Sequence, residues 1–444
     1  MKKIIAVLLI ALQIINFSCE STEPVRIDET IKLTAIDAAV VEIYLNVNVD
    51  NPSVTKEVVI ERNGSRVLGI PASSTEIAVT DTGLTENTTY KYKAKLYEGG
   101  KVVGESSEIS ITTLKPSSHE FVWQTYQIGD ITSTLFDVAI IDENNIWAVG
   151  EIYLKDSTGQ IDPQAYNAAH WNGTKWEIRR IQFYTICGHD NKTAYPARSI
   201  ISIENDVWIT AGDQVARLEG NLQKEILCLP FSFLINNICG ITSTDLYIVG
   251  NGGNIAHYDG KSWEKIESGT KVNLTDITGG SNGEDIFICG YNDFNPTIML
   301  KYKEGKTEKI IESLDFLTND PSKISGIIKS VWKKRGRLFT STAYSLYSSG
   351  ESTKGEGKAI WKGHYLDWGV ESIRGNEIND IIGCGVFGKV WHYNGLSWRK
   401  YDELERQTDG LKRIEIKGNM CAAVGYRYIN GIERYGLIHI GKRN

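Results

Sequence analysis

Ile146-Trp147-Ala148-Val149-Gly150 is a short apolar run that ends on a glycine, and the chain repeats it. Copies are Val207-Trp208-Ile209-Thr210-Ala211-Gly212, Leu246-Tyr247-Ile248-Val249-Gly250 and Ile286-Phe287-Ile288-Cys289-Gly290. A degenerate copy is Leu338-Phe339-Thr340-Ser341-Thr342. The last two are Asp380-Ile381-Ile382-Gly383-Cys384-Gly385 and Cys421-Ala422-Ala423-Val424-Gly425. A second signature follows the first. It reads Ala169-His170-Trp171-Asn172-Gly173 with Trp176 behind it, then Ala256-His257-Tyr258-Asp259-Gly260 with Trp263, and Trp391-His392-Tyr393-Asn394-Gly395 with Trp398. Partial copies are Ile360-Trp361-Lys362-Gly363 and Ile438-His439-Ile440-Gly441.

From Gly150 to Gly425 six intervals span 275 residues, about 46 per repeat. A period in that range, with several short strands per unit, reads as a propeller of four-stranded blades stacked around an axis. Asn-Gly and Asp-Gly in the second signature suit the tight turn between third and fourth strands. The tryptophan behind it would open the outer strand and pack between blades. The last repeat stops after its third strand. Its missing partner is expected at Phe121-Val122-Trp123-Gln124-Thr125-Tyr126-Gln127-Ile128, which is similar to Trp176-Glu177-Ile178 and Trp263-Glu264-Lys265-Ile266. Such pairing would remove an open sheet edge. The expectation is therefore an all-β chain with a seven-bladed β-propeller over 121–444, its last blade built from both ends. The repeats resemble bacterial propellers of the BNR/Asp-box, kelch-like and Ycf48-like kinds.

Working outward, 115–120 is a polar linker, and 26–114 alternates apolar and polar residues with period two, as half-buried antiparallel strands do. Asn63-Gly64 and Gly99-Gly100 are hairpin signals. The stretch Leu84-Thr85-Glu86-Asn87-Thr88-Thr89-Tyr90-Lys91-Tyr92-Lys93-Ala94 resembles the corner of a fibronectin type III, immunoglobulin-like sandwich. That resemblance makes Tyr90 the corner tyrosine, its hydroxyl turned to backbone, and Tyr44 the nearest candidate for the family's second-strand tryptophan.

At the start, Met1-Lys2-Lys3 precede an apolar run from Ile4 to Ile15, and Asn16-Phe17-Ser18-Cys19 follows. This is a charged n-region, an apolar h-region and a cleavage point. A cysteine there resembles the bacterial lipobox, which implies a signal peptide over 1–18, lipidation of Cys19 and an acidic tether over 19–25. The expected location is the cell envelope, lipid-anchored at the outer membrane on its periplasmic or surface face.

A net charge of −7 argues against a nucleic-acid partner. Cys187, Cys228, Cys239, Cys289, Cys384 and Cys421 form no CxxC pair, so no zinc site is expected. A disulfide among Cys187, Cys228 and Cys239 stays open. His170, His257, His392 and His439 hold one place in four repeats. Blades fan outward, so local hydrogen bonding is expected rather than a metal ring. The turns 142–145 and 251–254 could ligate calcium but need no ion as hairpins. Arg198, Arg217, Arg335 and Arg374 lie near strands without a pattern, and no carboxylate pair stands out for glycoside hydrolysis. Neither a catalytic residue nor a cofactor is assigned. Loops at 153–165, 184–197 and 348–358 are long enough to build one rim of a binding face or to be plain insertions. The reading that follows is a surface-held binding or scaffold protein for a protein or glycan partner. The alternative is a glycosidase- or sialidase-like enzyme with its site in the propeller funnel.

Overall fold

A computed structural model of the chain describes residues 30–279, 285–293, 297–313, 324, 326–343, 345–350, 362–364, 366 and 369–444. The leader, Cys19, the tether, Ile360-Trp361 and the stretch 351–358 lie outside the described residues. What is described is strand and turn, with two single-turn 3₁₀ segments at Asn251–Gly253 and Asp402–Leu404. The chain divides into two compact units. The smaller takes residues up to Ile36, Tyr44–Asp81 and Thr89–Thr112, and the larger takes Asp37–Ile43, Thr82–Thr88 and Thr113–Asn444.

Ile31–Ala38, Glu42–Val49 and Glu76–Thr82, most of whose residues belong to the smaller unit, form one sheet. Ser65–Ala72, Ser53–Arg62, Thr89–Glu98 and Lys101–Glu105 form another, with Ile109–Thr112 paired to Thr89–Glu98. Alternation sends Leu45, Val47, Val58, Ile60, Tyr92 and Leu96 inward, each fully buried. Two particulars differ from the sequence reading. The buried tyrosine is Tyr92, whose hydroxyl donates to Asp81 Oδ2 at 2.7 Å, while Tyr90 lies half-buried with the Arg62 guanidinium 5.6 Å from its ring. On Glu42–Val49 the period of two puts Leu45 inside and Tyr44 on the opposite face.

The larger unit is a series of four-stranded antiparallel sheets. The first holds Thr134–Asp142, Asn145–Ile152, Tyr166–Trp171 and Trp176–Arg179. The second holds Ser199–Ile203, Asp206–Ala211, Gln214–Glu219 and Leu222–Cys228. Ile235–Thr242 opens the third, Leu274–Thr278 the fourth, Ile328–Lys334 the fifth and Val370–Glu377 the sixth, each followed by three more strands in chain order. The seventh holds Asp409–Lys417, Met420–Ile429 and Glu433–Lys442, and takes its fourth strand, Val122–Ile128, from the start of the unit. The opening strand of each sheet packs on that of the next, and the first sheet packs on the seventh. The ring closes, and the unit is a β-propeller.

The recurring glycine has a steric cause. Six of the seven opening strands carry a bulge near their start, as between Leu135 and Asp137 or Leu274 and Asp276. The bulge drives that strand's backbone against its neighbour. A Cβ added at Gly150, Gly250 or Gly290 would lie 2.1 Å from the carbonyl oxygen of Thr134, Leu234 or Asn273. The second sheet has a regular register there and carries Ala211.

Between each pair of sheets lies its own apolar layer. Leu135, Ile146, Ala148, Val424, Ile438 and Ile440 form the one between seventh and first. No sheet buries both faces alone, so closure stabilises every layer. The closing strand runs in register from Ile128 opposite Gly436 to Val122 opposite Lys442.

A second clasp holds the same ends. The Arg443 guanidinium donates to Asp380 Oδ1 at 2.8 Å and to Ser118 O at 3.0 Å, and its other terminal nitrogen meets Asp380 Oδ2. His392 Nε2 is 2.8 Å from Asp380 Oδ1 and His392 Nδ1 is 2.7 Å from His119 Nδ1. The carboxylate makes His392 Nε2 the donor, so neutral His392 accepts at Nδ1 and His119 donates.

Burial pushes the His119 imidazole down to about 4, with His392 and Arg399 adding to the effect. Burial also lowers His439 to about 4 and lowers His392. Unfolded, each titrates near 6.5. Stability contributed by these neutral rings is present above that value and is lost as pH falls from about 6.5 to about 4. Urea midpoints are therefore expected to drop across that window, and the drop should shrink in His119→Asn/His439→Asn. An equal drop in the double variant contradicts this. Deleting Phe121–Ile128 should lower the melting temperature of the propeller sharply, as calorimetry on the full chain would read. An unchanged transition would refute closure by this strand.

Candidate functional site

The opening strands line the propeller axis, and one register position on them carries a polar side chain in every sheet. It lies just past the bulge. In sheet order it holds Asp137, Ser199, Asn237, Asp276, Ser330, Ser372 and Arg413. Asp276 is the hub. Its Oδ1 accepts from Asn237 Nδ2 at 2.6 Å and Arg374 Nη2 at 2.8 Å, with Arg413 Nη1 at 3.0 Å. Its Oδ2 accepts from Ser330 Oγ at 2.5 Å, the Val331 amide at 3.0 Å and Arg374 Nη1 at 3.1 Å. One fully buried carboxylate thus binds groups from the third, fifth, sixth and seventh sheets.

The network continues through Asn237. The Ser199 hydroxyl stands 3.0 Å from Asn237 Oδ1 and donates to Asp137 Oδ2 at 2.6 Å. Asp137 also accepts the Ile200 amide on Oδ2 and the Val138 amide on Oδ1. All seven sheets therefore join across the axis. Burial alone would raise the Asp276 carboxyl. The guanidiniums of Arg374 and Arg413 and the Ser330 hydroxyl overturn that and hold it well below the usual carboxylate range.

Two residues further along, the strands carry Ala139, Ile201, Cys239, Thr278, Trp332, Arg374 and Glu415. With part of the hub as floor they line an open axial cavity of about 360 Å³. Glu415 and Lys417 line it from the seventh sheet. Among the described residues Glu415 has no hydrogen-bond or ion-pair partner, because Arg374 is turned to Asp276. Burial pushes its carboxyl up to about 7; Arg374 offsets part of this, and Asp137 adds to it.

The repeat histidines lie away from this cavity, on third strands. His170 Nε2 is 2.9 Å from Asn145 Oδ1 and the ring stacks on Trp147. His257 Nε2 is 2.7 Å from Asp245 Oδ1, with the ring stacked on Tyr247. His392 meets Asp380 as described, and His439 Nδ1 is 2.8 Å from Thr125 on the closing strand. Arg217 in the second sheet repeats the theme, with Asp206 at 2.7 Å and Trp208 beneath it. So does Lys301 in the fourth, with Asp285 and Phe287. Each cation or ring thus meets at least one polar partner close by, while His170 Nδ1 and His439 Nε2 are buried without a hydrogen-bond partner. Trp176, Trp263 and Trp398 pack in the layers between sheets.

Of the four arginines near strands, only Arg374 reaches the hub; Arg198 lies over Phe136, and Arg335 pairs with Glu377 at 2.8 Å. Among the described residues no group of three or more His, Cys, Asp or Glu side chains stands ready for a metal ion. The turns at 142–145 and 251–254 spend their side chains on themselves, as in Asn144 N to Asp142 Oδ1 and Asn254 Nδ2 to Asn251 O. Cys187 and Cys228 form a disulfide that ties the 184–197 loop to the outer strand of the second sheet, while Cys239, Cys289, Cys384 and Cys421 are free and buried.

Asp276, Arg413 and Glu415 were missed in the sequence reading. A faint signal existed: an aliphatic residue, any residue, then a polar one, 14–16 residues before the glycine, as in Leu135-Phe136-Asp137 and Leu274-Thr275-Asp276.

No protein-family model matches the chain, and no curated protein matches it. Similar solved structures include Ycf48 bound to D1 peptide, at 15% identity and TM-score 0.49, covering 74% of this chain and 99% of that one. The WD40 β-propeller domain of Doa1 matches at 11% and 0.48, covering 73% and 98%. The computationally designed Ika8 protein matches at 11% and 0.43, covering 70% and 98%. Likeness at this level carries no argument about function, and the β-propeller assignment rests on the sheet order and the closed ring of packing.

Removing the hub charge leaves Arg374 and Arg413 buried without their anion. Asp276→Asn should cost roughly 3–5 kcal/mol, the range for breaking a buried ion pair. Asp206→Asn, which loses the partly exposed partner of Arg217, should cost about 1 kcal/mol or less. Equal losses in denaturant titrations would contradict the assignment of Asp276 as hub.

Proposed function

We propose that this chain is an envelope lipoprotein, lipidated at Cys19, whose seven-bladed propeller serves as a rigid, non-enzymatic binding or scaffold body for a protein or glycan. A fibronectin type III-like sandwich over 26–114 would space it from the outer membrane. The observation that carries the non-enzymatic reading is how the axial carboxyls are used. Asp276 is held by two arginines, and Asp137 accepts hydrogen bonds on both oxygens. Among the described carboxyls around the cavity, Glu415 alone has no hydrogen-bond or ion-pair partner. Glycoside hydrolysis by the common routes needs two carboxyls with divided roles facing one substrate. A sialidase-like site needs arginines free to bind a carboxylate, and Arg374 and Arg413 are already committed to Asp276.

The disulfide Cys187–Cys228 accords with an exported chain, since such bonds persist in oxidising compartments. The test is an envelope pull-down and a glycan array with the full chain, alongside an assay on aryl glycosides. A saturable partner without turnover is expected. Turnover abolished by Glu415→Gln would contradict the reading and favour the enzyme. Separately, Cys19→Ser should move the protein from the membrane fraction to the soluble one; a variant that stays with membranes would contradict the lipid anchor.

A further inference from the structure

The other end of the axis carries charge that the fold does not use. In six sheets the bulge leaves one residue unpaired just before the hub position: Phe136, Asn236, Thr275, Lys329, Glu371 and Lys412. Arg198 holds that place in the regular second sheet. The axial cavity is lined by residues beyond the hub, so this ring lies at the opposite mouth. It holds three cations and one carboxylate, in a chain whose net charge is −7. Glu371 is spent on Lys329, 3.6 Å away, and Lys329 also donates to the Tyr291 hydroxyl at 3.0 Å. Arg198 and Lys412 are exposed, and among the described residues neither side chain has a hydrogen-bond or ion-pair partner.

Both cations are nonetheless held in place. The Arg198 guanidinium lies 4.7 Å from the centre of the Phe136 ring, and the Lys412 ammonium lies 5.6 Å from that of Tyr426. Tyr426 lies across Gly410 at the start of the seventh opening strand, where an added Cβ would be 2.6 Å from its hydroxyl oxygen. Tyr428 packs edge-on against Tyr426 at 5.3 Å. A guanidinium held over a ring keeps its N–H edge free, and that edge matches a carboxylate. The ring has already restricted the side chain, so less entropy is lost when an anion arrives.

We propose that this mouth binds an acidic, extended segment of a partner protein, with one carboxylate on Arg198 and a second on Lys412, from the sheets on either side of Phe136. The proposal rests on the reading of the propeller as a protein-binding body, and it names the face and the chemistry of the partner. The local excess of positive charge draws carboxylates in and weakens with salt. A sugar stacks on an aromatic face, and Arg198 and Lys412 already take up a face of Phe136 and of Tyr426. A long polyanion such as nucleic acid meets the acidic remainder of the chain.

The test is selection of a random dodecapeptide display library on the immobilised full chain, followed by calorimetric titration with the peptide most enriched. Enrichment in Asp and Glu is expected, with affinity that falls at high salt. Arg198→Gln/Lys412→Gln should weaken binding at least tenfold. Lys265→Gln, which removes one exposed charge from an outer strand of the third sheet, should leave it unchanged. Thermal unfolding verifies that the variants are folded, as expected for exposed side chains. No enriched peptide, enrichment without acidic residues, equal affinity in the double variant or an equal loss in Lys265→Gln would overturn the proposal. So would a polyuronate fragment that binds through Arg198 and Lys412 where no peptide does. An envelope partner that the double variant still captures would end this proposal and leave the scaffold reading standing.

Discussion

A single buried carboxylate organises this molecule. Asp276 sits on the propeller axis and receives donors from four other sheets, and through Asn237 and Ser199 the chain of contacts reaches the remaining two. Each sheet buries apolar faces against its neighbours, and that non-directional force alone would tolerate a different angle or an open ring. Hydrogen bonds and ion pairs are directional. They require the seven opening strands to meet with one register at one point. Such a buried cluster is a specificity device more than a source of net stability, since desolvation offsets much of its attraction.

The same network shapes the rest of the axis. Because Arg374 and Arg413 are turned to Asp276, the charges around the cavity are fixed by the fold and not free to follow a ligand. Among the described carboxyls around the cavity, Glu415 is the one without a hydrogen-bond or ion-pair partner. At the periphery, a different grammar repeats: an acid or amide opens the second strand, an aromatic ring follows two residues later, and a histidine, arginine or lysine on the third strand lies against both. Asn145, Trp147 and His170 are one instance, and Asp206, Trp208 and Arg217 another. These peripheral pairs lie within one sheet, whereas the charge at the axis is shared by all.

The ring was legible in the sequence because its marker is steric and therefore repeats. In most sheets a glycine sits where the bulge of the opening strand presses a carbonyl onto its neighbour, so Gly150, Gly250, Gly290 and Gly425 stand out, while the fifth sheet has the bulge and carries Thr342. The closing strand was legible through its likeness to other fourth strands, Trp123 matching Trp176 and Trp263. The hub was not, because its position is filled by Asp, Ser, Asn, Asp, Ser, Ser and Arg. Geometry requires a polar group there, and no residue type recurs. The histidines drew notice as a recurring residue, yet their partners Asn145, Asp245 and Asp380 lie a strand away and had no reason to be read with them. In the smaller unit, the alternation was read correctly, but which tyrosine is buried depended on a register that only the strand pairing fixes.

Ring closure is tested most directly by native-state hydrogen exchange resolved along the chain. If the first strand of the propeller completes the last sheet, the hydrogen-bonded amides of Val122–Ile128 exchange as slowly as those of Glu433–Lys442, and both are released in the same unfolding event. Exchange of Val122–Ile128 at the rate of an unpaired segment, while Glu433–Lys442 stays protected, would contradict the account.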